Sequence, residues 1–186
     1  PEEAFVFANF SAHYKIDPDI FSIWMRLLKR APGSVLWLVS GSDHSVENLK
    51  REAGIRGIDP DRLIFAPRRD HHTHITRHHL ADLCLDNCFH AGGATTLEAL
   101  WSGLPVLTMH GPYPNSRTGA GMLKAAGLPE LVAKDLENYR EIAEKLVTSP
   151  ETLARLRKRL SEDNHSLPLF DSNYFVPRLE RILTKM

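Results

Sequence analysis

Asp82-Leu-Cys-Leu-Asp-Asn-Cys-Phe-His-Ala-Gly-Gly-Ala-Thr-Thr-Leu-Glu-Ala-Leu-Trp-Ser-Gly-Leu-Pro105 decides how the rest of the chain is read. Leu83, Cys84 and Leu85 form an apolar run that reads as a buried strand ending at Asp86. A loop then closes on Gly92-Gly93-Ala94-Thr95-Thr96, and Leu97, Leu100 and Trp101 follow at helical spacing. Gly103 stops that helix, and Pro105 opens the next apolar run, Val106 to Met109. In an α/β protein such a turn offers backbone N–H groups and the positive end of a helix dipole to an anion, usually a phosphate. The two glycines let backbone approach a ligand with no Cβ in the way. Thr95 and Thr96 can cap the helix and donate from their hydroxyls. An ordinary β–α turn with a threonine cap would look the same, so the flanking sequence has to decide.

Working outward, the pattern repeats. Phe5 to Asn9 is a short apolar run with a polar end, and Asn9 to Lys15 is a loop. Asp17-Pro18 starts a helix, with Asp as cap and Pro at the first helical position. Ile20, Trp24, Leu27 and Leu28 carry it to Lys29-Arg30. Val35 to Val39 is apolar throughout, as a strand covered on both faces should be. A helix marked by Val46, Leu49 and Ala53 leads to a strand at Leu63–Ala66, and Arg68 to His79 reads as loop and helix. After Met109 a second loop, Gly111 to Asn115, precedes a helix opened by Ser116-Arg117. From Leu136 the pattern is helical: Tyr139, Ala143 and Leu146 form one stripe, Leu153, Leu156 and Leu160 another, and Phe175, Leu179 and Ile182 a third. Strands alternating with helices predict a doubly wound, Rossmann-like parallel sheet. The domain is expected to span residues 1–186, with 136–186 a helical extension packed on it. Ligands in this architecture bind beyond the carboxyl ends of the strands. The polar loops at 9–15, 68–74, 87–96 and 111–116 should therefore open on one crevice.

Composition narrows the function. The 186 residues contain 23 basic and 23 acidic side chains, so no bulk charge points to nucleic acid or membrane. No apolar run approaches the ~20 residues of a membrane span. Cys84 and Cys88, the only cysteines, are placed for neither a disulfide framework nor a metal pair, which suits a reducing, cytoplasmic setting. The chain begins at Pro1 without an initiator methionine and reads as a piece of a longer protein.

Four groups of residues carry candidate chemistry. Lys15 follows the first strand, and an ammonium beside the glycine turn would suit a diphosphate. His71, His74 and His78 recur on one helical face and could suggest zinc, but no Glu completes a His-Glu-x-x-His pattern, so no metal is expected. An imidazole free to stack on a flat base, with Arg77 beside it, fits better. Cys88 and His90 lack a third orienting group and are not read as a nucleophile dyad. Glu98, one turn into the helix, could accept hydrogen bonds from a ribose diol, and an acid stabilised by the helix dipole is the plainer alternative.

Several segments together resemble a known family. Asn9-Phe-x-x-x-Tyr-Lys-Ile-Asp-Pro18, Pro32-x-Ser-Val-Leu-Trp-Leu38, Leu63-Ile-Phe-Ala-Pro67, Leu80-Ala-Asp-Leu-Cys-Leu-Asp86, Gly92-Gly-x-Thr-Thr-Leu-Glu-Ala-Leu-Trp101, Ser116-Arg117 and Pro168-Leu-Phe-Asp171 are similar to the C-terminal catalytic lobe of O-linked N-acetylglucosamine transferases and their SPINDLY-like relatives, bacterial forms included. The resemblance covers nearly the whole chain in order. It implies the nucleotide-binding lobe of a GT-B glycosyltransferase, normally preceded by tetratricopeptide repeats and a first catalytic lobe. It further implies a UDP-sugar donor, UDP-N-acetylglucosamine first, a protein Ser/Thr acceptor, no metal cofactor, and no sugar transfer by the isolated lobe.

By position, the resemblance makes Lys15 the residue that contacts the diphosphate and stabilises the leaving nucleotide. It places His74 on the uracil with Arg77 beside it, and Arg69 where backbone pairs with the base. Gly92, Gly93, Ala94, Thr95 and Thr96 fall in the phosphate-binding loop, and His71 and Glu98 fall near the ribose. This chain departs from the animal enzymes at four of these places. His71 replaces a lysine, Glu98 an aspartate, Gly93-Ala94 a His-Thr pair, and Ala12 a glutamine. GDP-fucose and UDP-glucose therefore stay open as donors, as does a nucleotide-binding or interaction module without catalysis.

Overall fold

A computed structural model describes residues 4–162 and 166–185. The parts of the expected 1–186 domain at 1–3, 163–165 and 186, Pro1 among them, lie outside the described residues. Six strands form the sheet: β1 (Val6–Asn9), β2 (Val35–Val39), β3 (Leu63–Ala66), β4 (Leu83–Leu85), β5 (Val106–Met109) and β6 (Val132–Ala133). Every pairing is parallel, and the order across the sheet is β3-β2-β1-β4-β5-β6. Phe7 lies in register with Leu36 of β2 on one side and Leu83 of β4 on the other. The chain winds from β1 out to β3, returns to the centre at β4, and winds the other way. The strand order thus reverses between β1 and β4, and a crevice opens beyond their carboxyl ends.

Eight α-helices are found among the described residues: α1 (Pro18–Arg30), α2 (Asp43–Ile55), α3 (His71–Arg77), α4 (Ala94–Trp101), α5 (Thr118–Ala125), α6 (Leu136–Val147), α7 (Pro150–Glu162) and α8 (Ser172–Leu183). The α1 start is the one the sequence signals. Asp17 Oδ1 accepts the Asp19 and Ile20 N–H groups at 3.0 Å, with Pro18 first in the helix. Ile20, Trp24, Leu27 and Leu28 are buried under the sheet with Phe7, Leu36 and Leu83. Burial on this scale, at roughly 25 cal/mol per Å² of apolar surface, is the main stabilising term. β6 has only two residues, too short a run for alternation or composition to mark it.

Tyr139, Ala143 and Leu146 of α6 and Leu153, Leu156 and Leu160 of α7 are buried. No residue of α8 is; Phe175, Val176, Leu179, Ile182 and Leu183 are between 41% and 60% exposed. Among the described residues no helix is long and apolar enough to cross a membrane.

Candidate functional site

The loop after β1 is the hub of the crevice. Asn9, 1% exposed, donates from Nδ2 to the Leu85 carbonyl at 2.6 Å and accepts the Ser11 N–H at 3.0 Å. One amide therefore ties the end of β1 to the end of β4 and shapes the loop between. Ser11 Oγ lies 3.3 Å from Thr95 Oγ1, across to the glycine turn. His13 to Lys15 form a short 3-10 turn, held by the Lys15 N–H on the Ala12 carbonyl at 3.0 Å. Lys15 is half-buried, and its ammonium has no hydrogen-bond or ion-pair partner among the described residues. Its charge acts weakly on the buried Asp86 just past the end of β4.

The glycine turn corrects one expectation. Neither Thr95 nor Thr96 caps α4: Gly93 stands at the N-cap, no side chain bonds to the first-turn amides, and both threonines lie inside the helix. The first N–H groups of a helix have no intrahelical partner, so those of Ala94, Thr95 and Thr96 remain donors for a ligand. Gly92 is buried. Its N–H donates to Asp86 Oδ1 at 2.7 Å, and a Cβ there would collide with Thr96 Oγ1 and stand 2.7 Å from Thr95 Oγ1.

The opposite wall is built by α3. Asp70 starts that helix by accepting the Thr73 N–H at 3.0 Å, which holds the Asp70 carboxyl below the usual carboxylate range. His74 Nε2 lies 3.2 Å from Glu98 Oε2, and His71 Nδ1 lies 3.5 Å from Glu98 Oε1. Burial, and then the Arg77 charge, push the His74 pKa down against the pull of Glu98. At neutral pH the bond is therefore a neutral imidazole N–H donating to a carboxylate. Arg77 is 7% exposed, its guanidinium 4.0 Å above the Phe10 ring, with Nη1 donating to the Pro67 carbonyl at 3.3 Å. The His74 and His78 rings meet Phe10 edge-on, at centroid distances of 5.6 and 5.1 Å. Phe10, Ala12, Val39, Arg69, His74 and Arg77 line a cavity of about 200 Å³. A larger one of about 450 Å³, beside Phe5, Asp82 and Arg157, lies at the other end of the strands and includes none of these residues.

The structure thus brings Lys15, the turn from Gly92 to Thr96, Glu98, His71, His74, Arg77 and Arg69 to one edge of the sheet. Arg69 contributes to the cavity wall and is otherwise exposed. Cys88 is fully buried, and burial pushes its thiol well above the ordinary range, which disfavours the thiolate a nucleophile needs. Among the described residues no three His, Cys, Asp or Glu side chains are grouped to hold a metal ion. Reading from the sequence missed Asn9, Ser11 and Phe10 as site residues, and above all Asp86. The signal for Asp86 was a lone carboxylate closing an apolar run, which also reads as a plain strand end.

Residues 1–179 match the sequence profile described as Glycosyl transferase family 41. The chain belongs to that family. A UDP-N-acetylglucosamine–peptide N-acetylglucosaminyltransferase of Caenorhabditis elegans is 36% identical over 186 residues, covering 100% of this chain and 16% of the relative. A probable enzyme of the same name from Arabidopsis thaliana is 35% identical over 187 residues, covering 100% of this chain and 19% of the relative. A solved O-GlcNAc transferase mutant from Thermobaculum terrenum superposes with a TM-score of 0.92 at 30% identity, over 98% of this chain and 36% of that one. The sheet and its helices are those of the C-terminal lobe of a GT-B glycosyltransferase. This family 41 chain spans under a fifth of the length of either curated relative.

Proposed function

We propose that this chain binds the donor, UDP-N-acetylglucosamine, for an enzyme that transfers N-acetylglucosamine to Ser or Thr of proteins. Two observations at the strand-order reversal carry the reading: the Lys15 ammonium has no hydrogen-bond or ion-pair partner among the described residues, and the α4 N-terminus has no side-chain cap. Both are sources of positive potential, and a diphosphate is the ligand that uses both. The names of the family 41 relatives supply the donor and acceptor classes.

In this reading the base enters the cavity walled by Phe10, His74 and Arg77, with Arg69 at its mouth, and Glu98 and His71 meet the ribose. The diphosphate lies on the amides of Ala94 to Thr96, with Gly92 and Gly93 beneath it. As the bond from the anomeric carbon to the phosphate oxygen breaks, negative charge grows on the departing UDP. Lys15 and the turn amides are preorganised to stabilise it. No divalent cation is required for that neutralisation. The acceptor site and the base that deprotonates the acceptor hydroxyl belong to polypeptide outside residues 1–186, so this chain alone transfers no sugar.

Calorimetry with UDP, GDP and UDP-N-acetylglucosamine, with and without a chelator, tests the binding. Uridine preference that survives chelation is the expected result. GDP preference would turn the assignment to a fucosyl donor, and no binding at all would turn it to an interaction module. In the enzyme that carries this lobe, Lys15→Ala should reduce kcat roughly 100-fold or more, the scale of losing one charge-stabilising donor, with thermal stability little changed. Unchanged turnover would remove Lys15 from the mechanism.

A further inference from the structure

Asp86 is a carboxyl group in the middle of the molecule, 2% exposed, one residue past the end of β4. Its Oδ1 accepts the N–H groups of Asn87 at 2.8 Å and Gly92 at 2.7 Å, and its Oδ2 accepts the Thr108 hydroxyl of β5 at 2.8 Å. Its backbone carbonyl accepts the Tyr139 hydroxyl of α6 at 3.0 Å. On the fourth side α5 closes over it, since a Cβ on Gly119 would stand 2.5 Å from Oδ2. Two strands, two helices and the glycine turn therefore converge on one acidic residue.

Taking a carboxylate out of water is costly even when donors replace the solvent, and a well-packed apolar side chain holds elements together at least as well. What an apolar side chain cannot do is bind a particular N–H. Asp86 draws the Gly92 N–H inward, which leaves the amides of Ala94, Thr95 and Thr96 as the free donors on the crevice side. Burial pushes the Asp86 carboxyl above its usual range, against the pull of the Gly92, Thr108 and Asn87 hydrogen bonds. The same group thus orients the turn amides that an anion would meet.

We propose that Asp86 is the positioning residue of the phosphate turn, its carboxyl group fixing Gly92 so that the turn amides are aimed at one anion before it arrives. Its bearing on ligand binding rests on the diphosphate reading of the crevice. The hold on Gly92 does not depend on that reading.

Three variants of the chain, Asp86→Ala, Asp86→Asn and Thr108→Val, separate positioning from mere support, with UDP as the probe. Two quantities are measured: hydrogen exchange at the Gly92 amide, relative to the β2 amides of Leu36 and Leu38, and the UDP dissociation constant. Asp86→Ala should speed Gly92 exchange at least about tenfold beyond any change in β2, and weaken UDP about tenfold or more, as expected for loss of hydrogen bonds to a charged acceptor. Asp86→Asn keeps an acceptor for Gly92 but not the charge. It should restore Gly92 protection while UDP stays weakened at least about threefold. Equal acceleration at Gly92 and in β2, or a UDP constant unmoved in both Asp86 variants, would overturn the proposal. If Asp86→Ala does not fold, Thr108→Val removes one donor and leaves the carboxylate. Gly92 should then keep its protection, and UDP should weaken less than in Asp86→Asn; a larger loss would mean that Asp86 acts only as packing. If the unsubstituted chain binds no UDP, the diphosphate reading fails, and the exchange at Gly92 alone then decides the hold.

Discussion

Gly92 has no room for a side chain, and the groups that crowd it are polar: the hydroxyls of Thr95 and Thr96 and the carboxyl of Asp86. Its φ is not positive, so the constraint is contact with neighbours and not backbone freedom. Gly92→Ala must push Thr96 into the first turn of α4 or pull the turn off Asp86. We expect UDP affinity to fall about tenfold or more, with stability lower by about 1–3 kcal/mol, the usual penalty of overpacking. Calorimetry and urea denaturation check the two parts, and an alanine variant that binds UDP normally would contradict the close fit. His78 sets a second expectation. It is 1% exposed, its Nδ1–H donates to the His74 carbonyl at 2.8 Å, and burial pushes its pKa down to about 4. The unfolded chain, with a histidine pKa near 6.5, takes the proton first as pH falls. The stability tied to neutral His78 is therefore complete above about pH 6.5 and is lost as pH drops toward 4, by roughly 2 kcal/mol at pH 5. His13 and His74, lowered first by burial, act in the same direction. NMR titration should show the His78 ring neutral at pH 5; a midpoint near 6.5 would contradict the buried neutral form.

Helix ends matter more to this site than helix bodies. α3 has seven residues and presents His71, His74 and Arg77, so its single cap carries much of its order. Asp70→Ala should cost about 1 kcal/mol, typical for an N-cap. It should also weaken UDP several-fold more than an equally destabilising cap change at α1, Asp17→Ala, if α3 forms the base wall. Parallel losses at both helices would separate α3 from the ligand. At this scale the sequence was legible in part. β1 to β5 and the bodies of α1, α2, α4 and α6 to α8 follow from apolar runs and spacing, Asp17-Pro18 marks α1 to the residue, and Arg68 to His79 read only as loop and helix. The threonine cap of α4 was misread because Thr is a good cap by type, while its role is decided by what already holds the turn. That is Asp86, a contact made through the fold and not through neighbours in sequence. β6 left no pattern to read.

Across the whole molecule, the strand order β3-β2-β1-β4-β5-β6 gathers loops that lie far apart in the chain. Alternation of strands and helices sufficed to predict that order's consequence, a crevice beyond the strand ends, and therefore which loops would share it. It could not show which polar groups would be turned inward. Asn9, Asp86 and Thr108 look like loop or strand-end residues in sequence, yet all three are at most 2% exposed and bond across elements. The apolar face of α8 was equally legible as a stripe, but not its exposure in this chain, because periodicity reports that a face seeks cover and not where the cover comes from.

The ties that join the two walls of the crevice also set an order in time. Asn9 bonds to Leu85 and Ser11 meets Thr95 across 76 and 84 positions of chain, so neither contact can form until β1 has found β4. Pairing at such separation is slow compared with helix formation or a local turn. On refolding, α1, α2 and their strands can assemble early, while the crevice, lying on the β1–β4 seam, waits for that pairing. A chain still emerging from the ribosome holds Lys15 long before it has a glycine turn to face. The proposed nucleotide binding would then be a property of the finished topology alone, and its appearance during refolding would date the moment the seam closes.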